Sequence, residues 1–313
     1  MNKEIYIHIG YPKTGTTFLQ KELFPQVKTI NYVKLSLINL LLRRITFQDS
    51  FSYDANAIKK EIERHISNGK NVISFEGFVG QAFFKFINNK LIADRLSVLF
   101  SHAKIIIAIR DQYSLLESIY KQYVQEGGVK GFRRFINFKE NNFVHNYRIS
   151  DLSINPEMFD YLPLIKYYRS LFGKNNIFVI PYELLKNNQE EFVRKLLSWM
   201  GVHEIPHYKG VVYNPGYGIN QIQIARFCNR FLQSRFRESA LIPAVDIPVI
   251  GKSTSTTLMK ALQSNISFKL FGRKQINDSR VKEATRKKFL DSNREIDKMC
   301  DLSLENVCPG YYF

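Results

Sequence analysis

The sequence predicts an α/β fold in which helices cover both faces of a parallel β-sheet. Four short apolar runs, rich in β-branched residues, are typical of buried strands; they span residues 5–10, 71–75, 104–109 and 177–180. The longer segments between these runs carry apolar residues three or four positions apart, as amphipathic helices do. Because strands and helices alternate along the chain, we expect parallel strands joined by helical crossovers.

The predicted helices lie between the strands and continue after the last one. In residues 55–68 the isoleucines lie four positions apart, and Gly69 follows as a C-terminal cap. Further helices are expected within residues 34–47, 91–100, 112–128, 157–172, 189–200 and 280–299. This alternation implies that helices pack on both faces of the sheet.

The first strand leads into a loop that contains Gly10 and Gly15, after which Thr16 and Thr17 begin a helix. A strand, a glycine-bearing loop and a helix N-terminus form a site for a phosphate-like anion, because backbone N–H groups and the helix dipole favour negative charge there. The glycine spacing is that of a nucleotide P-loop, G-x-x-x-x-G-K-[ST]. Here, however, Thr16 stands at the lysine position and Lys13 lies inside the loop.

The residues from Pro12 to Thr17, PKTGTT, resemble the 5′-phosphosulfate loop of the sulfotransferases that use 3′-phosphoadenosine 5′-phosphosulfate (PAPS). The resemblance implies a P-loop-like sulfotransferase fold and a cofactor-binding loop made of Pro12, Lys13, Thr14, Gly15, Thr16 and Thr17. Lys13 would donate to the bridging oxygen as negative charge develops on it. The alternative is a turn that binds nothing, but turn chemistry alone requires neither a lysine nor two threonines.

The second strand is followed directly by Glu76. Ligands of open α/β sheets bind beyond the carboxyl ends of the strands, so Glu76 is expected to face the same crevice as the loop. A hydroxyl that attacks sulfur must lose its proton, and a positioned carboxylate can accept it. Many bacterial and carbohydrate-type sulfotransferases resemble this plan, with a glutamate in this region. We therefore predict that Glu76 is the catalytic base; the alternative is a carboxylate that caps the next helix.

The third strand is followed by Arg110, and Ser118 lies eight residues later on the predicted helix. This pair resembles the 3′-phosphate motif of the same family. The resemblance implies that Arg110 and Ser118 bind the 3′-phosphate that distinguishes PAPS from ATP, the arginine through its fixed fork of donors. Alternatively, Arg110 pairs with Asp111 or Glu117 and Ser118 is an ordinary surface residue of the helix.

Residues 129–156 are less regular, and aromatic side chains in this segment alternate with arginine, asparagine and histidine. Such a segment suits a sugar ring or single-stranded nucleic acid, unless it is simply a solvated helix and loop. The predicted substrate contacts are His145, Tyr147 and Arg148, and His145 is the second candidate for the base. His8, within the first strand, is expected to be a hydrogen-bonded packing residue.

The fourth strand is followed by Tyr182 and Glu183, in a helix–turn–strand segment that again resembles the family. The resemblance implies that Tyr182 contacts the nucleotide, and Glu183 is expected to anchor the structure. We predict a single domain over residues 1–313, with the PAPS-binding α/β core in 1–200 and a mostly helical extension with a possible lid in 201–313.

The extension is less informative than the core. A basic helix is predicted over residues 220–237, whose charged face is expected to be solvated, although it would also suit an acidic membrane surface or an anionic substrate. Residues 252–257 are interpreted as a linker or lid, and Arg273 and Lys274 could close over the cofactor.

Charge and cysteine content limit the partners and the compartment. The 313 residues include 45 Lys and Arg against 28 Asp and Glu, a net charge of +17, which favours anionic partners. The 3 cysteines lie far apart in no metal-ligand spacing, as is typical of a reducing compartment. A signal peptide is not expected, and no apolar run approaches the ~20 residues that span a bilayer. We expect a cytoplasmic protein, with peripheral contact to an acidic membrane surface as an option.

The predicted reaction is direct in-line transfer of a sulfuryl group from PAPS to a hydroxyl acceptor, a saccharide or glycolipid, without a metal ion. Two other functions stay open. One is an ATP-dependent P-loop kinase, against which Thr16, Arg110 and Ser118 all argue. The other is a basic nucleic-acid-binding protein on a degenerate enzyme fold, which steeply salt-dependent binding would indicate; nucleic acid is the less expected partner.

Overall fold

The computed structural model describes residues 3–148, 150–208, 217–236, 246–248, 255–257 and 275–311. The chain divides into two compact units. The first comprises Met1–Gln112, Asn146–Tyr213 and Thr285–Phe313, and the second comprises Tyr113–His145 and Asn214–Ala284. A single domain over residues 1–313, divided at residue 200, stays a prediction.

The first unit contains a parallel sheet of five strands in the order β2-β3-β1-β4-β7. These strands are β1 (Lys3–His8), β2 (Ile30–Tyr32), β3 (Gly69–Ser74), β4 (Lys104–Ile109) and β7 (Ile177–Pro181). The four strands predicted from apolar runs are therefore confirmed. The short edge strand β2 was not predicted, because three residues give no readable periodicity and only the pairing with β3 defines it.

The helices lie between these strands, as the alternation predicted. In chain order they are α1 (Thr16–Phe18), α2 (Leu35–Phe47), α3 (Ala55–Glu63), α4 (Asn89–Leu99), α5 (Gln112–Gln125), α6 (Phe132–Phe135), α7 (Tyr161–Phe172), α8 (Tyr182–Asn187), α9 (Gln189–Trp199), α10 (Ile219–Cys228), α11 (Ser279–Cys300) and α12 (Leu304–Val307). A π-helical turn, Leu19–Leu23, directly continues α1.

Both faces of the sheet are buried, which is why its strands are almost continuously apolar. Successive side chains of a strand point to opposite faces. On one face Tyr6, Val72 and Ile106 belong to a core cluster with Leu19 of the π-helical turn and Leu196 of α9. The intervening strand residues, which include Ile7, Ile73 and Ile107, are fully buried on the other face, where α7 contacts β4 and β7.

The predicted end of α3 is wrong. The helix ends at Glu63, and Gly69 begins β3 instead of capping the helix. The side chain of Asn71 explains the difference: its Oδ1 accepts a hydrogen bond from Ser67 N at 2.9 Å, and its Nδ2 donates to Ser67 O and Gly69 O at 2.9 and 3.0 Å. This buried side chain stabilises a turn where the helix was expected to continue.

The second unit contains residues 129–145 of the irregular segment that was expected to bind the acceptor. There, α6 is followed by a hairpin of β5 (Phe138–Lys139) and β6 (Asn142–Phe143). The basic helix predicted over 220–237 is shorter, because α10 ends at Cys228. The buried Asn229 side chain, which donates to Val124 O at 2.8 Å and Gly128 O at 2.9 Å, fixes the chain just after this end.

Part of the C-terminal third lies outside the described residues. This holds for Arg237, for residues 252–254 of the predicted linker or lid, and for Arg273 and Lys274. Strand β9 (Ser255–Thr257) pairs with β8 (Asp246–Pro248) in an antiparallel manner. Within the described ranges, no helix has both the length and the apolar character needed to cross a membrane.

Candidate active site

The carboxyl ends of four parallel strands place the predicted site residues along one edge of the sheet. Strand β1 precedes the glycine-bearing loop, β3 precedes Glu76, β4 precedes Arg110 and β7 precedes Tyr182. His8 pairs with Ser74 at the end of β1 and β3. Since β2 and β3 lie on one side of β1 and β4 and β7 on the other, the crossovers diverge at β1. Ligands bind at such a switch point in open α/β sheets.

The loop after β1 has a backbone suited to an anion. Lys13 and Gly15 both adopt left-handed conformations, with φ of 65° and 91°. Phe18 N and Leu19 N donate to Gly15 O at 3.0 and 3.2 Å, which begins the helix. Among the residues that the structure describes, the N–H groups of Gly15, Thr16 and Thr17 have no acceptor. Consecutive N–H groups of this kind at a helix N-terminus attract an anion.

Contacts from within the first unit hold this loop in shape. The Thr14 hydroxyl is buried and donates to Tyr11 O at 2.6 Å, so this side chain stabilises the loop from inside. A Cβ atom at Gly15 would lie 2.5 Å from Leu185 Cδ2 and 3.4 Å from Tyr182 Cδ2. Only glycine therefore fits at position 15, for steric as well as conformational reasons. Leu185 could not be predicted from local patterns, because its contact with the loop joins residues 170 positions apart along the chain.

Arg110 connects the loop to the end of β7. Its Nη1 donates to Lys13 O at 2.8 Å, and its guanidinium carbon lies 4.7 Å from the centre of the Tyr182 ring. Tyr161 fixes the backbone of Arg110, accepting from Arg110 N at 3.3 Å and donating to Arg110 O at 2.7 Å. The structure thus brings together Lys13, Arg110 and Tyr182.

Glu183 has the anchoring role that was expected of it. Its carboxylate accepts hydrogen bonds from Asp111 N and from Tyr311 Oη, both at 2.9 Å, and the side chain is buried. Burial raises the pKa of Glu183 above that of an ordinary carboxyl group, and the backbone donors oppose this shift. The pair of bonds ties the start of α8 to the residue after Arg110.

Glu76 begins a 3₁₀ turn, Glu76–Val79, directly after β3. Solvent reaches its side chain although protein surrounds it on most sides, as in a crevice. This burial raises the pKa of Glu76 above the ordinary 4.5, while the positive charge of Lys13 and the nearby Thr16 hydroxyl oppose the rise. The 3₁₀ turn that Glu76 begins has no side-chain capping hydrogen bond, so the turn does not favour the capping alternative.

The predicted acceptor residues lie in both units. His145 belongs to the second unit, whereas Tyr147 and Arg148 belong to the first, and all three side chains are exposed. Lys85 holds the segment that carries Tyr147 and Arg148. It is 8% exposed, and its Nζ donates to Asn146 O at 2.6 Å and Ser153 O at 3.2 Å. The sequence does not predict this role, because a buried lysine cannot be distinguished from an exposed one by its sequence pattern.

Ser118 lies on α5 in the second unit and is half-buried. Its predicted contact with the 3′-phosphate stays a prediction. In the described ranges, no group of three or more His, Cys, Asp or Glu side chains is arranged to hold a metal ion. A cavity of about 420 Å³ lies along β7, lined in part by Arg169, Phe178 and Trp199, but it includes none of the predicted site residues.

A family model for the sulfotransferase domain matches residues 4–208, which is more than half of the chain. The protein therefore belongs to the sulfotransferase family and is a sulfotransferase enzyme, as the PKTGTT loop predicted. No curated protein matches the sequence.

Solved structures similar to the chain are also sulfotransferases. A sulfotransferase from Alicyclobacillus acidocaldarius has 16% identity and a TM-score of 0.48, covering 69% of this chain and 88% of that one. The sulfotransferase domain from the curacin biosynthetic pathway has 14% identity and a TM-score of 0.39, covering 92% and 97%. The mouse sulfotransferase SULT7A1 complexed with PAP has 12% identity and a TM-score of 0.38, covering 99% and 88%.

The left-handed backbone of Lys13 allows its amino group to be tested separately from the fold. Glycine adopts a φ of 65° without the penalty of about 1 kcal/mol that a side chain incurs. Lys13→Gly should therefore unfold at the wild-type temperature or above it. Sulfotransferase activity should nevertheless fall by ~10²–10³, as expected when a donor to a developing charge is removed.

The matched control is Asn141→Gly in the β5–β6 hairpin, where φ is 64° and the side chain is exposed. It should give a similar change in melting temperature with unchanged activity. Thermal unfolding and initial rates, measured on both variants, check the prediction. A Lys13→Gly enzyme with wild-type activity would show that the amino group takes no part in the reaction.

Proposed function

We propose that this protein transfers a sulfuryl group from PAPS to the hydroxyl of a saccharide or glycolipid by in-line displacement, with Glu76 as the base. The observation that carries the proposal is the position of the PKTGTT loop, Glu76, Arg110 and Tyr182 at the carboxyl ends of neighbouring parallel strands. PAPS is the donor that sulfotransferases of this family normally use. The cytoplasmic location and the peripheral contact with an acidic membrane surface are part of this proposal and rest on composition alone.

The loop binds the 5′-phosphosulfate group in this proposal. Support comes from the N–H groups of Gly15, Thr16 and Thr17, which lack acceptors among the described residues and lie at a helix N-terminus. Pro12 and Thr14 contribute backbone shape, since the Thr14 hydroxyl already donates to Tyr11 O. The loop backbone alone can therefore attract negative charge to the N-terminal end of α1.

Arg110 binds the 3′-phosphate, and the Tyr182 ring lies against its guanidinium. The role of Ser118 rests on the resemblance to the family motif alone. A guanidinium offers five donors, and the bond to Lys13 O uses one of them. Packing against the Tyr182 ring favours a single orientation of the group. Arg110 can therefore bind a phosphate and brace the loop at the same time, which links the two ends of PAPS through one side chain.

The chemistry requires one proton transfer and one S–O exchange. The acceptor oxygen forms a bond to sulfur while the bond from sulfur to the bridging oxygen breaks, and 3′,5′-ADP leaves. Glu76 takes the hydroxyl proton, and its raised pKa makes it a better proton acceptor than an ordinary carboxylate. Lys13 donates to the bridging oxygen as charge develops on it. The influence of Lys13 on the Glu76 pKa is consistent with both groups facing one reaction centre.

The saccharide acceptor is supported by the segment that carries Tyr147 and Arg148. Lys85 fixes this segment, and the neighbouring Phe86 packs edge-on against Tyr11 of the loop, with ring centres 5.9 Å apart. Tyr147 is 77% exposed, and an exposed tyrosine ring is a suitable surface for a sugar. His145, in the second unit, stays the second candidate for the base.

The Arg110 assignment predicts a difference between two nucleotides. Arg110→Ala should weaken 3′,5′-ADP binding by more than tenfold, because a charge-assisted bond is worth ~1.5–3 kcal/mol. Binding of 5′-AMP, which lacks the 3′-phosphate, should weaken much less, through the lost bond to Lys13 O. Arg110→Lys is the matched control, since it keeps the charge without the planar fork. Equal losses for both nucleotides, measured by calorimetry, would make Arg110 purely structural.

The Glu76 assignment predicts a folded but inactive variant. Glu76→Gln keeps the size of the side chain but cannot accept the proton, so transfer of ³⁵S from PAPS to a panel of saccharides should fall by ~10²–10⁴. Binding of 3′,5′-ADP and the melting temperature should match the wild type. Because the carboxylate form is active and burial raises its pKa, wild-type activity should rise with pH through one ionisation above 4.5.

The residual activity of Glu76→Gln should not show this rise with pH. His145→Ala, made alongside, should retain substantial turnover. An active Glu76→Gln enzyme together with a folded, inactive His145→Ala enzyme would instead identify His145 as the base.

A further inference from the structure

His8 is a buried histidine that the reaction described above does not use. It is the last residue of β1, it is fully buried, and its Nδ1 lies 2.8 Å from Ser74 Oγ at the end of β3. Burial lowers its pKa to about 3, so the ring is neutral at physiological pH. The packing role expected from the sequence is thus present on one side of the ring.

The hydrogen bonds of Ser74 determine which ring nitrogen carries the proton. Gln20 Nε2 donates to Ser74 O at 3.0 Å and to Ser74 Oγ at 3.1 Å, and the carbonyl contact fixes the orientation of the amide. The Ser74 hydroxyl therefore accepts from Gln20 and has its own proton to donate. We assign His8 Nδ1 as the acceptor of this proton, which leaves the ring proton on Nε2 and makes Nε2 a hydrogen-bond donor.

This donor has no acceptor, and it lies beneath the phosphosulfate loop. Among the described residues, His8 Nε2 and Thr16 Oγ1 are both buried without a hydrogen-bond partner. Both atoms converge on Gly10: a Cβ atom there would lie 2.7 Å from His8 Nε2 and 2.8 Å from Thr16 Oγ1. An unpaired buried polar group costs free energy, and two such groups side by side indicate a bond that forms in another state of the site.

We propose that His8 is a positioning residue that orients the Thr16 hydroxyl when the donor binds; this rests on the proposed function. His8 Nε2–H donates to Thr16 Oγ1, and the Thr16 proton turns from the Glu76 carboxylate, whose pKa it lowers, to an oxygen of the 5′-phosphosulfate. The hydrogen bonds from Gln20 to Ser74 and between Ser74 and His8 hold the imidazole ring in place. Its bond to Thr16 Oγ1 therefore favours one rotamer of Thr16. Gly10 is required because any side chain there would separate the two groups.

The tautomer can be measured directly on the unmodified protein. Histidine labelled with ¹⁵N gives long-range ¹H–¹⁵N spectra that distinguish the two neutral forms, and His8→Gln identifies the His8 signals. We expect a neutral ring protonated on Nε2, with an Nε2 shift that changes on addition of 3′,5′-ADP. A ring protonated on Nδ1, or an Nε2 signal unaffected by saturating 3′,5′-ADP, would overturn the proposal even if every His8 variant failed to fold.

Two amide variants separate positioning from packing. The side-chain amide of His8→Gln reaches the place of Nε2, whereas that of His8→Asn reaches only the place of Nδ1 and keeps the bond to Ser74. If His8 orients Thr16, His8→Gln should bind 3′,5′-ADP within about threefold of the wild-type affinity, and His8→Asn should bind it about tenfold more weakly. A packing role alone predicts the reverse order, because only the Ser74 bond would matter.

A double-mutant cycle tests whether the effect passes through Thr16. If it does, His8→Asn should cost little further affinity in a Thr16→Val background, whereas independent roles would give additive losses and contradict the proposal. The wild-type titration separates this question from the proposed function. Wild-type protein that fails to bind 3′,5′-ADP would refute the PAPS assignment itself, while normal binding with additive losses refutes only the role of His8.

Discussion

The parallel pairing of β1 with β3 on one side and β4 on the other is the constraint on which the site depends. It brings the carboxyl ends of three strands together although they are separated by long helical segments, and β7 adds a fourth next to β4. Each strand end contributes one element of the candidate site: the glycine-bearing loop, a carboxylate, a guanidinium and an aromatic ring. Apolar residues on both faces of the sheet, such as Tyr6 and Ile7, supply the burial that keeps this pairing in place.

The loop itself is under strain that its neighbours offset. Lys13 adopts a left-handed backbone conformation that is unfavourable for a residue with a side chain, and Arg110 stabilises it by donating to its carbonyl oxygen. Gly15 is packed against Leu185, and two polar atoms beneath the loop lack partners among the described residues. The loop therefore suits an anion, because a bound anion would supply the hydrogen-bond acceptors that its donors lack among the described residues.

Local patterns made much of this structure predictable. The four main strands are unbroken apolar runs, and the PKTGTT loop identified the family through adjacent residues. The features that could not be predicted depend on contacts between distant residues: the bond from Arg110 to Lys13 O, the burial of Lys85, and the Asn71 side chain that replaces a helix end by a turn. Edge strand β2 was missed for a related reason, since only its pairing with β3 makes three residues a strand.

We propose that the carboxyl ends of the strands bind a nucleotide with a 3′-phosphate and do not bind a nucleoside triphosphate held by a metal ion. Calorimetric titration of wild-type protein with 3′,5′-ADP and with ATP, each with and without Mg²⁺, distinguishes the two. We expect 3′,5′-ADP to bind at least about tenfold more tightly than ATP, because Arg110 is proposed to make a charge-assisted bond only to the 3′-phosphate, and Mg²⁺ should make no difference. Tighter, Mg²⁺-dependent binding of ATP would refute the PAPS assignment and favour a kinase.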